Sequence, residues 1–244
     1  MDELMESYIA SEKHDLLLDF KYRAKNETWL NRAYAIMLAE QGLMSKEDYR
    51  AIDRGLVAVL DRLTEDDMVK APPLQDIFFL FEKALYDEIG MDTACKLHVG
   101  RSRNDIYFTE YRMSMREAVW KISEEVLKTQ ELLEEKIPEH LETVIPYYTY
   151  GQPAQPGTWG HYLVSIHKCL ENDLSRLQHA YATINQCPMG AGASIGSAFH
   201  LNKYRLAELL GFDGTFENSL MANSAVDYFL ELESAIAKIG RAHV

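Results

Sequence analysis

His98-Val99-Gly100-Arg101-Ser102-Arg103-Asn104-Asp105 leads into a long run with helical periodicity. Gly100 frees the backbone for a turn. Ser102 or Asn104 can cap a helix start, and Asp105 falls in the first turn, where negative charge is favoured. Beyond it, Phe108, Tyr111, Met115, Val119, Ile122, Val126 and Leu133 keep an apolar seam with heptad-like steps. Glu124, Glu125, Glu131, Glu134 and Glu135 lie largely off that seam, and Pro138 marks its end. The spacing predicts a helix of about 30 residues, too long for an ordinary small domain, and points to a bundle or an oligomer. Two arginines beside a helix N-terminus offer a seat for a carboxylate. The same residues also read as a well-capped helix with two solvated arginines.

Toward the N-terminus the chain reads as helices. Trp29, Ala33, Ile36, Met37 and Glu40 step by three and four until Gly42. Ser45-Lys46-Glu47-Asp48 is a Ser-x-x-Asp capping box, and Ile52, Leu56, Val59, Leu60 and Leu63 form the stripe of the helix it opens. Thr64 to Pro73 is expected to be a loop because it ends in Pro72-Pro73. A further helix carries Ile77, Leu80, Phe81, Ala84 and Leu85 on one face, closed by Gly90 and Met91. Residues 1–97 thus form an N-terminal helical region, and residues 98–244 a second domain.

Toward the C-terminus, residues 138–160 carry four prolines and three glycines and read as a kinked loop. Its centre is Tyr148-Thr149-Tyr150-Gly151-Gln152-Pro153-Ala154-Gln155-Pro156. It serves either as a stiff holder of binding groups or as a plain connector. Leu163, Ile166, Leu170, Leu174, Leu177, Tyr181 and Ile184 form a second unbroken seam, as in packed bundles. His161 and His167 near its start read as surface or satisfied core residues. Pro188 to Ser197 is rich in small residues, but it lacks the Gly-Lys-Ser/Thr ending of a phosphate loop and follows no strand. Asn202 to Leu210 is a short helix closed by Gly211. Asn218-Ser219 is expected to cap a third long helix through Leu220, Val226, Phe229, Leu230, Glu233 and Ile236. No strand alternation stands out, so the fold class is all-α.

A chain of 244 residues can bury a sizeable core. Its net charge of -13 argues against nucleic acid and anionic membrane surfaces as partners. An acidic protein that binds an anion must concentrate its arginines locally, which sharpens interest in Arg101 and Arg103. Cys95, Cys169 and Cys187 are few, odd in number and widely spaced, so neither a metal site nor a disulfide framework is expected and a reducing cytoplasm is. The acidic start, Met-Asp-Glu-Leu-Met-Glu, lacks a signal region, and no apolar run is long enough to span a membrane.

Taken together, the motifs resemble the argininosuccinate lyase family, within the fumarase/aspartase superfamily that includes delta-crystallin. Gly100-Arg101-Ser102-Arg103-Asn104-Asp105 is similar to the family's first signature. Tyr148 to Pro156 is similar to its second. Pro188 to Gly196, Ala207-Glu208-Leu209-Leu210-Gly211-Phe212 and Asn218-Ser219-Leu220 resemble the approach to its third central helix, and Met37 to Gly42 also fits. The resemblance implies the first long helices of a central helical bundle, shared sites in a homotetramer, and no cofactor. The implied chemistry is β-elimination from a succinyl adduct: a proton leaves the carbon next to a carboxylate, a C–N bond breaks, and fumarate is released. Ser102, Arg103 and Asn104 would contact substrate, Thr149 would hydrogen-bond a carboxylate, and Gln155 would shape the pocket.

The sequence departs from the family at specific places. Tyr150 stands where the second signature holds a proton-transferring histidine; an ordinary tyrosine titrates near 10 against about 6.5 for histidine, so it is the poorer base at neutral pH. Asp76-Ile77-Phe78 replaces an Asp-x-His pair, and Ser224-Ala225-Val226-Asp227 replaces a Ser-Asp-Arg-Asp run. A different amino-acid–succinate substrate, or a non-catalytic crystallin-like relative, is therefore an alternative. The family's mobile loop with its serine is expected beyond the third helix. Ile239-Gly240-Arg241-Ala242-His243-Val244 interrupts an apolar helix and matches one reading frame of a sequencing adapter. The expectation is a C-terminally truncated piece, inactive by itself, whose uncovered seams make it prone to aggregate.

Overall fold

The computed structural model describes residues 3–72 and 76–241. Among the described residues it contains ten α-helices and only four short strands, so the chain is all-α in class. Contacts divide it into two compact units, residues 1–114 with 185–225, and residues 115–184 with 226–244.

In the first unit, α1 (Glu3–Glu40) packs on α2 (Lys46–Arg62), and α2 on α4 (Ile77–Ile89). The predicted stripes of α2 and α4 supply the core; that of α1 does so only through Ala33 and Met37, since Trp29 and Glu40 are exposed and Leu30, Tyr34 and Leu38 face inward in their stead. Leu30, Tyr34, Met37 and Leu38 of α1 meet Ile52, Leu56 and Val59 of α2 and Ile77 and Phe81 of α4, all nearly or fully buried. Ser45 opens α2 as expected: its Oγ accepts the Asp48 N–H at 3.0 Å. The expected loop from Thr64 to Pro73 instead contains a short helix, α3 (Glu65–Lys70). Its start is a Thr-x-x-Asp capping box, in which Asp67 Oδ2 accepts the Thr64 N–H at 2.9 Å, and three acidic residues fill the first turn. Pro73 lies outside the described residues. Gly90 caps α4 and leads into the one-turn helix α5 (Met91–Ala94). Helix α6 (Arg103–Lys136) begins in this unit. Two-residue strands β3 (Gln186–Cys187) and β4 (Gly214–Thr215) pair in parallel around α8 (Lys203–Leu209), which Asn202 caps.

In the second unit, the remainder of α6 and the helix α7 (Trp159–Ile184) carry the expected seams, whereas the helix α10 (Asp227–Arg241) buries Tyr228, Leu232 and Ala235, and the expected Val226, Phe229, Leu230 and Ile236 are exposed. Val119 and Val126 of α6 are buried, as are Leu163, Leu170, Leu177 and Ile184 of α7, one every seventh residue. The region expected to be a kinked loop is a β-hairpin. Strand β1 (Val144–Thr149) pairs antiparallel with β2 (Gln152–Thr158), with a bulge between Pro146 and Tyr148. Tyr150 at φ 49° and Gly151 at φ 74° form the two-residue turn. Positive φ at both central residues is what a hairpin of right-handed twist requires. The prolines are tolerated because a two-stranded ribbon is all edge.

The third long helix is also interrupted. Asn218 caps α9 (Ser219–Ser224), which ends at Ala225 in extended backbone before α10 begins. Ser224 Oγ donates to the Leu220 carbonyl at 2.6 Å, a side-chain bond that competes with helix continuation. Helix α10 runs through Gly240 and Arg241, which were expected to interrupt it, and Ala242 to Val244 lie outside the described residues. Among the described residues no helix is long and apolar enough to cross a membrane.

Candidate functional site

The turn before α6 is built around a buried acid. Asp105 is fully buried, and its Oδ1 accepts the Ser102 N–H at 2.9 Å. Its Oδ2 accepts the N–H groups of Gly190 at 3.1 Å and Gly192 at 3.0 Å. One carboxylate thus joins the helix start to the glycine-rich loop from Pro188 to Ser197. Burial pushes the Asp105 carboxyl up to about 6, while the three N–H groups and Arg101 hold the rise back. The loop is fixed at two more points. Asn104 Nδ2 donates to the Ala193 carbonyl at 3.2 Å, and Asn223 Nδ2 to the Gly192 carbonyl at 2.6 Å.

Ser102, Arg103 and Asn104 therefore sit together at one end of α6 against that loop. Ser102 Oγ accepts the Asn104 N–H at 3.3 Å, so Ser102 is the side-chain cap. Asn104 is exposed. Arg103 is half-exposed; its Nη1 donates to Asp76 Oδ2 at 3.1 Å and its guanidinium lies 4.9 Å from the Phe79 ring centre. The two arginines have different fates. Arg101 turns inward, donates from Nη1 to Asn31 Oδ1, and lies 5.3 Å from the Tyr34 ring centre. It is a support of the turn, and Arg103 is the cation at its surface.

Asp76 is a second organising acid. Its Oδ1 caps α4 by accepting the Phe79 N–H at 3.1 Å, and its Oδ2 accepts from Arg103 and, at 2.7 Å, from the Tyr107 hydroxyl. Burial and the Asp76 carboxylate push the Tyr107 phenol far up. Phe78, in the expected histidine position, is buried with its ring edge-on to His98, centroids 5.5 Å apart.

The other expected site residues lie in the second unit. Thr149 pairs with Gln152 beside the hairpin turn, and Tyr150 at its tip is wholly exposed. Gln155 is exposed on β2. The hairpin is held at its base by Tyr147, whose ring covers Gly157 and whose hydroxyl lies 2.8 Å from His161 Nδ1 and donates to the Thr158 carbonyl at 3.2 Å. The expected residues thus form two groups, Ser102, Arg103 and Asn104 in one unit and Thr149, Tyr150 and Gln155 in the other.

Sequence reasoning missed Asp105, Asp76 and Asn223 as members of the site framework. Asp105 was visible as a first-turn acid and Asp76 as the first residue of the altered Asp-x-His pair, but their remote partners had no local signal. Among the described residues no group of three or more His, Cys, Asp or Glu side chains is placed to hold a metal.

The family model described as lyase matches residues 2–241, and the chain belongs to that family. It is 40% identical to an argininosuccinate lyase of Methanocaldococcus jannaschii over 208 residues, covering 85% of this chain and 43% of that one. It is 36% identical to an argininosuccinate lyase of Caldanaerobacter subterraneus subsp. tengcongensis over 234 residues, 96% of this chain and 51% of that one. Among solved structures, an EDDS lyase variant with bound fumarate superposes with a TM-score of 0.84 at 34% identity, covering 93% of this chain and 46% of that one. A beta-carboxy-cis,cis-muconate cycloisomerase of Acinetobacter calcoaceticus, at 20% identity and a TM-score of 0.74, shares the fold. These neighbours are of the fumarase/aspartase type, and the chain spans about half the length of the curated relatives it matches.

Proposed function

We propose that the full-length product is an argininosuccinate lyase-like enzyme that cleaves the C–N bond of a succinyl adduct by β-elimination and releases fumarate. The observation that carries this reading is the cluster at the start of α6. Ser102, Arg103 and Asn104 stand beside helix N–H groups, braced by Asp105 and a glycine loop whose backbone is pinned at four points. Such a fixed set of donors suits a carboxylate whose charge grows as the neighbouring carbon loses its proton, because preorganised donors stabilise developing charge without rearrangement. Family membership and the likeness to a fumarate-bound lyase support the same chemistry. In this reading Asn104, Arg103 and Ser102 hold one carboxylate, Thr149 and Gln155 approach from the hairpin, and Tyr150 offers a phenol where relatives of this type use an imidazole. Residues 1–97 form an N-terminal region, residues 98–244 the first part of the bundle, and the sites lie between subunits of a cytoplasmic homotetramer.

The test is fumarate release, followed by ultraviolet absorbance, from full-length protein given argininosuccinate and a panel of other amino-acid–succinate adducts. A folded oligomer silent across the panel overturns the reading. A second reading, a non-catalytic crystallin-like relative, is favoured by Tyr150 and Phe78. Tyr150→His separates the two: gain of activity marks a decayed site, and loss of an existing activity a repurposed one.

A further inference from the structure

In the unit formed by residues 1–114 and 185–225, α1 and α6 bring two glutamates together out of reach of water. Glu27 is 1% exposed and Glu110 is 0% exposed. One oxygen of each has its donors. Glu110 Oε2 accepts from Arg23 Nε at 2.9 Å and Nη2 at 2.5 Å. Glu27 Oε1 accepts from Asn31 Nδ2 at 2.7 Å. The other two oxygens, Glu27 Oε2 and Glu110 Oε1, receive no N–H or O–H from any other described residue. The Glu27 carboxyl is a neighbour that acts directly on that of Glu110.

Two carboxylates in contact in a low-dielectric interior repel strongly, and a single proton turns that contact into a charge-assisted O–H···O bond. The surrounding charges leave room for one acid to be neutral. Arg23 is matched by Asp19 at 2.8 Å, with the Tyr107 and Tyr111 rings of α6 lying 4.6 and 5.0 Å from its guanidinium. Arg101, from the turn, faces Glu27, and Glu82 of α4 pairs with His98 beside it. Asp105 also acts on Arg101, so two arginines stand against Asp19, Glu27, Asp105 and Glu110, and the acids are in surplus.

We propose that Glu27 and Glu110 hold one proton between them, and that this pair, acting through Asn31, positions Arg101 beneath the turn that carries Ser102, Arg103 and Asn104. The relay is continuous. The Asn31 amide donates to Glu27 and accepts from Arg101, so its orientation is fixed from both sides. Tyr34, under the Arg101 guanidinium, donates to the Val99 carbonyl at 2.7 Å at the entry to the same turn. Burial and the Glu27 carboxyl alongside push the Glu110 carboxyl well above its usual range. The folded chain therefore keeps a proton that the unfolded chain releases, so stability falls as pH rises above about 4.5 and through the pair's own titration. The consequence for catalysis rests on reading that turn as the carboxylate end of the substrate site; the shared proton does not.

The experiment uses the full-length protein and needs no activity. Infrared spectra at neutral pH should show the C=O stretch of a protonated carboxyl, shifted in heavy water and absent in Glu110→Gln. That variant keeps the O–H donor's role with an amide N–H, so its unfolding midpoint should match the parent's at neutral pH, and its pH slope should shrink to the part that Asp105 supplies. Glu110→Ala, which removes the partner of both Glu27 and Arg23, should unfold at clearly lower denaturant. The Arg101 Nε–H resonance should shift in Glu27→Ala and stay in place in Glu110→Gln. No protonated-carboxyl band, or a Glu110→Gln loss as large as that of Glu110→Ala, overturns the shared proton. An Arg101 resonance unmoved in Glu27→Ala overturns the relay.

Discussion

Asp105 Oδ2 accepts the backbone N–H of Gly192 at 3.0 Å, across 87 residues of sequence. The bond ties the helix start that carries Asn104 to a loop that has no regular structure of its own. Because the same carboxylate also serves Ser102 and Gly190, the turn and the loop hold or fail together.

Replacing Asp105 tests that joint. Asparagine has one acceptor oxygen, and its NH₂ faces N–H groups where the carboxylate accepts. Asp105→Asn should cost about 2 kcal/mol at pH 7, the usual scale for charge-assisted bonds lost in a buried setting. The parent's folded pKa of about 6 lies above its ordinary value of 3.8, so the folded chain binds this proton more tightly. The stabilisation is fully present below the ordinary value and is lost as pH rises through about 6. Urea unfolding from pH 4 to 7 should show that decline in the parent and a flatter profile in Asp105→Asn. An equal decline in both would remove Asp105 as its source.

Gly192→Ala probes the loop itself. Its φ is +62°, and an added Cβ would lie 2.5 Å from the Gly196 carbonyl oxygen, a backbone atom with little freedom to retreat. The left-handed conformation alone costs a residue with a side chain about 1–2 kcal/mol. The clash should bring the total to about 3 kcal/mol, within the range seen for overpacking. Gly196→Ala is the control: φ is +84° but a Cβ meets nothing within 4 Å, so only the conformational cost applies. Equal destabilisation of the two variants would contradict the close approach.

Much of the helical scaffold was legible because its signals are local. Ser45 and Asn202 cap the helices they were expected to open, Asn218 caps only the short α9 rather than a long helix, and the α2 stripe faces the core. The hairpin was hidden because its turn is Tyr150-Gly151 rather than Asn-Gly or Asp-Gly, and because three prolines mask the alternation of its strands. The break at Ala225 was hidden because no glycine or proline marks it. At the site, Ser102 and Asn104 could be placed from capping chemistry. The inward turn of Arg101 toward Asn31 and the capture of Arg103 by Asp76 depend on partners 70 and 27 residues away, which no local pattern encodes.

Tyr150 should be a costly choice for its turn. At φ 49° it occupies a region that asparagine and glycine tolerate far better, and it is wholly exposed, so it gains no packing in return within this chain. Tyr150→Asn should stabilise the hairpin by about 0.5–1 kcal/mol, read as a higher unfolding midpoint. A lower midpoint would mean that the tyrosine makes a stabilising contact in the assembled protein.

Asn104 gives the sharpest functional prediction. Its side chain makes one bond, to the Ala193 carbonyl at 3.2 Å, and it is exposed. Asn104→Ala should therefore change stability by no more than about 1 kcal/mol, the net value of an ordinary hydrogen bond. If its amide instead holds the carboxylate that becomes charged during elimination, the full-length enzyme should lose about 10²–10³-fold in kcat/KM, as for removal of a preorganised donor. Measuring both on one variant separates the roles. A small kinetic loss would make Asn104 a strut for the loop, and a large loss of stability with it would show that the loop's pinning, rather than substrate contact, is what the side chain provides.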